Sequence, residues 1–330
     1  VCSSDLAGDY EAAVTAYETG LEAAALRVQQ VFLWEKLAWS QSRLGAYEET
    51  LAAYDAILAI AQVAEYRARI MYQAAETALI FEDPEEAYRR MQELVLTYPT
   101  QSYAYEALVK LVQADRPVND LLRGKVDYYA GAYIPAVEAF QRVIDADPAH
   151  DGEPYYYMGL SYLENGDLAS ALDTFETLIE TYPEDAYWGS AWIGKARALA
   201  AQGNMNAALA AYRALPDALP EHPRAPAALW NAAALLQDAG HWPEAAEAFL
   251  DLAARYPNDE GAPLARFNAG LLYYRDYQAL IQREQDASTG VGRSLPAEVP
   301  SESVEQGLPT EAPPSEALDR AQQTWWDLVA

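Results

Sequence analysis

Small residues and large apolar residues recur along the chain at a nearly constant interval. The steps between successive small residues are 37, 37, 49, 35, 37 and 37 residues. Each small residue is followed four positions later by a large side chain. This large side chain is usually followed three positions later by an aliphatic one. These spacings place the large and the aliphatic side chains on one buried stripe of a helix. The period predicts a solenoid of helix pairs. The small residues are Ala13, Thr50, Ala87, Ala136, Ala171, Ala208 and Ala245.

A second series of small residues lies twelve positions before six of the first. Two small residues at this separation predict the crossing point of two antiparallel helices, because small side chains let helix axes approach to the short end of the 8–10 Å range. The large side chains that follow each crossing are predicted to fill the core. The second series is Ala38, Ala75, Gly124, Gly159, Ala196 and Ala233.

Glycine and proline mark the ends of the predicted helices. Glycine lies between the two helices of most pairs, where it supplies the left-handed position that ends a helix. Proline follows the second helix of five pairs and stops it. The turn glycines are Gly45, Gly131, Gly166, Gly203 and Gly240, and the prolines are Pro99, Pro148, Pro183, Pro220 and Pro257.

This combination of small sites, large partners, turn glycines and closing prolines resembles the tetratricopeptide repeat family over residues 7–275. The resemblance implies an all-α, right-handed superhelix of seven to eight helix pairs.

One step between small residues, of 49 residues, is longer than the rest. It predicts an additional helix over Tyr103–Ala114, followed by a further helix over Val118–Ala130.

Three junctions suggest a closer relationship. Tyr98-Pro99, Tyr182-Pro183 and Tyr256-Pro257 each join one helix pair to the next. These junctions, together with the stretch Gly124–Tyr133, resemble the N-terminal α-superhelical region of bacterial soluble lytic transglycosylases. That resemblance implies a non-catalytic part of a cell-envelope enzyme that acts on peptidoglycan, with the catalytic domain beyond the C-terminus.

The ends of the chain differ from its middle. Residues 1–6 match the translation of a common sequencing-adapter end and are interpreted as an artefact. Residues 276–316 are rich in proline and acidic side chains, and such a composition predicts a disordered insertion. The repeat pattern resumes in 317–330, which is interpreted as a truncated helix of the next repeat. The sequence is therefore interpreted as a fragment without its signal sequence.

The charge restricts the classes of partner. The formal net charge is −28 and the sequence pI is about 4.3. This surface repels nucleic-acid phosphates and anionic lipid headgroups, so neither is an expected partner. The acidic charge either keeps an elongated surface soluble or provides a docking face for a cationic partner. The sequence has no apolar run long enough to span a membrane.

No catalytic, cofactor-binding or metal-binding motif stands out. His150, His222 and His241 lie in separate inter-helix turns without ligand spacing. Glu302-Ser303 is similar to a transglycosylase Glu-Ser pair but lies in the predicted insertion. The fragment is therefore predicted to be no enzyme and to need no cofactor, while enzymatic activity of a longer protein stays open.

Aromatic side chains are the remaining candidates for a site. They cluster on the first helices of the repeats, where they either fill the core or line a groove for glycan or peptide. The candidate groove residues are Tyr156, Trp188 and Trp230.

Two functions are compatible with these patterns. The first is the superhelical scaffold of a lytic transglycosylase that guides peptidoglycan glycan strands. The alternative is a tetratricopeptide-repeat adaptor that binds protein partners. Both interpretations place the protein in the cell envelope, in the periplasm or otherwise outside the cytoplasm.

Overall fold

The turn glycines have the backbone conformation that the sequence pattern requires. All five predicted turn glycines have a positive φ, between 77° and 82°. This left-handed conformation is easily adopted only by glycine, and it ends one helix so that the next can fold back. Between the helices that begin at Ala64 and Pro84 there is no glycine, and Glu82 takes the left-handed position with φ 62°.

The structure is a computed structural model, and it describes residues 8–147, 149–289 and 314–329. These residues form helices joined by turns and contain no strand. The all-α, solenoid-type fold predicted from the period is therefore confirmed. The helices are α1 Tyr10–Ala23, α2 Arg27–Leu44, α3 Tyr47–Ile60, α4 Ala64–Ile80, α5 Pro84–Thr97, α6 Ser102–Gln113, α7 Asp120–Tyr129, α8 Tyr133–Ala146, α9 Glu153–Glu164, α10 Leu168–Thr181, α11 Trp188–Ala201, α12 Met205–Ala218, α13 Ala225–Asp238, α14 Trp242–Arg255, α15 Ala262–Thr289 and α16 Pro314–Val329.

The chain divides into two compact units. The boundary falls between Asp167 and Leu168, within the repeat that holds α9 and α10. The first unit contains α1 to α9 and the second contains α10 to α16. In both units the core consists of the predicted small and large positions.

The predicted crossing residues are buried. The small residues of the first series are fully shielded from solvent, as are the large partners Met91, Phe140 and Phe175. Tyr54 is an exception because it remains half-buried. Close packing of a small residue against a large one explains why the repeat alternates the two sizes.

The long step between Ala87 and Ala136 holds an additional helix, as predicted. This helix, α6, packs against α4, α5 and α7 in the first unit. Ala104, Ala107, Leu108 and Leu111 supply its buried face. The repeat pattern then resumes with α7, which begins at Asp120.

The C-terminal boundaries differ from the prediction. Residues 276–289 were assigned to the disordered insertion, but α15 continues through them to Thr289. The apolar periodicity explains this, because Tyr273, Tyr277 and Leu280 continue one stripe past residue 275. Residues 290–313, which hold most of the predicted insertion, lie outside the described residues, as do residues 1–7.

The last helix pairs with α15. α16 begins at Pro314, three residues before the predicted start, and packs along α15 with Ala317 and Ala321 buried. α15 and α16 therefore form a helix pair. Within the described ranges, no helix combines the length and the apolar character that a bilayer span requires.

Candidate functional site

Trp188, one of the three predicted groove residues, belongs to the core of the second unit. Only 9% of its surface is exposed. Its Nε1–H donates a hydrogen bond to the Ile179 carbonyl oxygen at 3.1 Å. Its ring centroid lies 6.1 Å from that of Trp192 and 6.0 Å from that of His222. The indole packs between α10 and α11, so little of its surface is accessible to a ligand, and a role of Trp188 in a groove stays a prediction.

Tyr156 and Trp230 are half-buried, and they lie in different units. Tyr156 lies on α9 in the first unit, and its ring meets the Tyr157 ring edge-on with centroids 5.4 Å apart. Trp230 lies on α13 in the second unit, and its ring meets Phe249 edge-on at 5.0 Å. Both retain accessible ring surface.

A stripe of exposed apolar side chains runs along α15. Leu264 is 51% exposed, Phe267 47% and Leu271 48%. Their spacing of three and four residues places them on one face of the helix. We call these three residues the outer stripe. The opposite face of the same helix carries Ala265, Ala269 and Leu272, which are buried in the core of the second unit.

Trp230 lies beside the turn that leads into α15. A Cβ built on Gly261 would be in ordinary van der Waals contact with the Trp230 indole, 3.8 Å from Cε3 and Cζ3. The Gly261 N–H donates a hydrogen bond to Asp259 Oδ1 at 2.8 Å, and this bond fixes the turn into α15. Trp230, a predicted site residue, therefore packs beside the turn that precedes the outer stripe, a surface that the sequence analysis did not identify.

The signal for the outer stripe was present in the sequence. Positions 264, 267 and 271 have helical spacing, but α15 also carries the core stripe of Ala265, Ala269 and Leu272. Two apolar stripes on one helix give little amphipathic contrast. Packing decides which of the two is buried.

The first unit has an exposed apolar region of its own. Val28 and Phe32 of α2 are exposed and line a cavity of about 560 Å³ together with Leu33. Charged groups interrupt this region, since Lys36 lies over the Phe32 ring at 5.8 Å and Glu35 pairs with Arg69 at 2.7 Å. It is therefore less continuous than the outer stripe.

The unit that carries the outer stripe is acidic as a whole. Residues 168–286 contain 16 acidic and 8 basic side chains. Glu260, which is exposed, precedes the stripe by one helical turn. A positively charged partner would therefore be attracted to this unit.

The described residues offer surfaces for binding and no grouping for metal chemistry. No three His, Cys, Asp or Glu side chains among them are placed to share a metal ion. His222 is packed against Trp188, and burial together with Arg224 lowers the pKa of its imidazole. The contact with Trp188 fits a role of His222 in packing.

The sequence matches one family model, described as tetratricopeptide repeat, over residues 121–186, 156–223 and 195–260. Together these matches cover residues 121–260, which are therefore similar to the tetratricopeptide-repeat model. A search of functionally curated proteins found no relative.

Several solved structures are similar to the chain. One is the C-terminal part of a repeat protein from Cytophaga hutchinsonii, with 17% identity and a TM-score of 0.36, covering 78% of this chain and 94% of that chain. A tetratricopeptide repeat protein from Parabacteroides merdae has 16% identity, a TM-score of 0.36 and coverages of 81% and 94%. Yeast Tom70 has 18% identity, a TM-score of 0.41 and coverages of 87% and 63%. At these values the likeness carries no information about ligands.

Proposed function

We propose that this tetratricopeptide-repeat chain is a non-catalytic scaffold that binds a protein partner through the outer stripe. The observation that carries the proposal is the exposure of about half of each side chain in Leu264, Phe267 and Leu271 on one helix face. Adjacent large apolar side chains that remain in solvent are typical of interaction sites.

The chemistry of the stripe favours a protein segment with apolar side chains and basic flanks. Phe267 stands between the two leucines and can form the centre of a contact, where binding energy is concentrated. The acidic surroundings, including Glu260, favour basic residues beside the apolar ones and disfavour acidic ones.

Defined peptides test this proposal. The probes are a fluorescein-labelled amphipathic peptide of leucine and lysine, its counterpart with glutamate for lysine, and a third with serine for leucine. The leucine–lysine peptide should bind the wild type most tightly in fluorescence anisotropy at about 0.15 M salt, where exposed charges are screened beyond ~8 Å.

Variants at exposed positions distinguish binding at the outer stripe from non-specific electrostatic binding. Phe267→Ser should weaken binding of the leucine–lysine peptide at least tenfold, the loss expected for about 1.4 kcal/mol. Leu96→Ser is the matched control, because Leu96 is exposed on α5 of the first unit. Equal binding by the wild type and Phe267→Ser, or equal binding of the lysine and glutamate peptides, would contradict the proposal.

A second candidate function is the guidance of peptidoglycan strands in a cell-envelope lytic transglycosylase. The observation that favours it is the accessible ring surface of Tyr156 and Trp230, since sugar rings stack on aromatic faces. Purified cell-wall sacculi should then sediment the wild-type chain, and Tyr156→Ala with Trp230→Ala should remove that sedimentation while the helical circular dichroism persists. A wild type that stays in the supernatant would exclude the glycan role and leave the protein-scaffold role untouched.

A further inference from the structure

Arg266 occupies a position that apolar side chains fill in the preceding repeats. Counting back one period of 37 residues from Arg266 gives Leu229, and a second period gives Trp192. Leu229 is buried in the core of the second unit, and Trp192 is half-buried against Trp188. Arginine at this position places a permanent charge where the repeat otherwise has an apolar group.

The guanidinium of Arg266 has no acidic partner among the described residues. Its Nη2 donates one long hydrogen bond, of 3.4 Å, to the carbonyl oxygen of Ala253. The side chain is half-buried, although the sequence contains 50 acidic residues. A partly desolvated charge without a counter-ion is unfavourable unless something else pairs with it.

A cavity of about 490 Å³ lies in front of this arginine. Leu250, Ala253, Ala254 and Tyr273 form its apolar lining. The volume falls within the range of small-molecule sites, which combine an apolar wall with a few placed polar groups.

A second guanidinium lines the same cavity. Arg320 of α16 pairs with Glu316 on its own helix at 2.7 Å, and its Nη1 lies 3.6 Å from Glu247 Oε1. The guanidinium lies over Tyr273, with its carbon 5.9 Å from the ring centroid. Glu247 of the lining and Glu316 on α16 both approach Arg320, so Arg266 is the guanidinium of the described lining that has no carboxylate partner.

We propose that this cavity binds a small molecule with one carboxylate attached to an apolar body. The planar guanidinium of Arg266 presents two parallel N–H donors, a geometry that matches a carboxylate. Leu250, Ala253 and Ala254 cover the apolar part. A single negative charge fits better than a doubly charged phosphate, because Glu247 repels additional negative charge.

This site is independent of the proposed protein-binding surface. Its lining comes from α14, α15 and α16, and it shares no side chain with the outer stripe. Either proposal can therefore fail without affecting the other.

Octanoate is the probe for the test, with octanol and octylamine as the neutral and cationic homologues. Isothermal titration calorimetry of the full chain should show saturable binding of octanoate, with octanol and octylamine at least tenfold weaker. Arg266→Leu, which restores the residue type found at position 229, should weaken octanoate binding at least tenfold and remain folded. Arg213→Leu is the matched control, since Arg213 is an exposed arginine elsewhere in the same unit.

A second variant keeps both arginines and fills the cavity. Ala254→Trp should fill the cavity and weaken octanoate binding to a similar extent. Undetectable binding of octanoate to the wild type at about 10 mM, where an affinity near −2.7 kcal/mol would give half-saturation, would overturn the proposal. Equal affinity for octanoate and octanol, or unchanged binding in Arg266→Leu, would overturn it as well.

Discussion

Gly124 of α7 faces the ring of Phe140 of α8 so closely that no larger residue fits in its place. A Cβ built on Gly124 would lie 2.6 Å from Cε1 of Phe140 and 2.8 Å from its Cδ1. Phe140 is fully buried, so its ring has little freedom to move away. This contact holds together a helix pair of the first unit.

Gly124→Ala should therefore destabilise the protein. Alanine in a helix is favoured over glycine by about 1 kcal/mol, but overpacking a filled core costs about 1–3 kcal/mol. We expect a net loss of up to ~2 kcal/mol in urea unfolding. The double variant Gly124→Ala with Phe140→Leu should lose less than the sum of its two single changes. Strict additivity would show that these positions do not contact each other.

Asp127 should make the stability of the first unit depend on pH. Its carboxyl is buried, and burial raises its pKa to about 6, although Arg123 and Arg142 lower it in part. The folded pKa lies above the unfolded value, so the protonated form favours folding. This contribution is complete below about pH 4 and is lost as the pH rises through 6.

Asp127→Asn removes this titration. Relative to the wild type, the variant should gain about 1–3 kcal/mol of unfolding free energy when the pH rises from 4 to 7. Urea unfolding at four pH values measures the shift, with Asp145→Asn, at an exposed position, as the control. A difference that does not change with pH would contradict the burial argument.

Two neighbouring arginines on α5 should differ in their effect on stability. Arg90 is buried, and its guanidinium joins α5 to α3 through Asp55 at 2.7 and 3.0 Å, while its Nε bonds Glu86 at 2.7 Å. Arg89 is exposed and bonds Glu86 and Glu93 of its own helix. Exposed pairs contribute about 0–1 kcal/mol, whereas breaking a buried pair costs more.

Arg90→Ala should therefore lower the unfolding free energy by about 2–3 kcal/mol, and Arg89→Ala by less than about 1 kcal/mol. Arg90→Lys should also destabilise, because lysine cannot bond both oxygens of Asp55 in the same geometry. Chemical denaturation of the three variants is the measurement. Similar losses for Arg89→Ala and Arg90→Ala would refute the assigned difference in burial.

Trp188 should act on stability and not on partner binding. Trp188→Phe removes the hydrogen bond to the Ile179 carbonyl and should cost about 1–2 kcal/mol, whereas Trp188→Ala should cost about 3–5 kcal/mol. Thermal unfolding followed by far-UV circular dichroism measures both. The folded Trp188→Phe variant should bind the leucine–lysine peptide as the wild type does. A loss of peptide binding without a loss of stability would instead show that Trp188 belongs to the binding site.

The repeat fold could be predicted from the sequence because it is encoded locally. Each helix pair needs a small residue, a large partner and a left-handed turn at fixed separations. Ala136, Phe140 and Gly131 show all three within ten residues. A solenoid adds such units by contacts between neighbours, so a short pattern determines the architecture over the whole array.

The end of the last repeat was predicted less well. The composition becomes rich in proline and acidic residues after residue 275, which predicted the end of the helix there, but α15 continues to Thr289. Helix length depends on whether a neighbouring element covers the apolar stripe, and α16, which comes later in the chain, packs along α15. Tertiary contacts outweighed local composition there.

The sequence by itself determined which residues form the helix pairs, and only the tertiary structure decided which apolar and charged side chains face solvent. Trp188 and Phe267 are both aromatic residues on first helices, yet Trp188 is enclosed by α10 and α11 whereas Phe267 is exposed. Arg266 likewise has the periodic position of Leu229 but lines a cavity formed with α14 and α16. A helical period fixes the direction of a side chain relative to its own helix, whereas its exposure depends on neighbours that are distant in sequence.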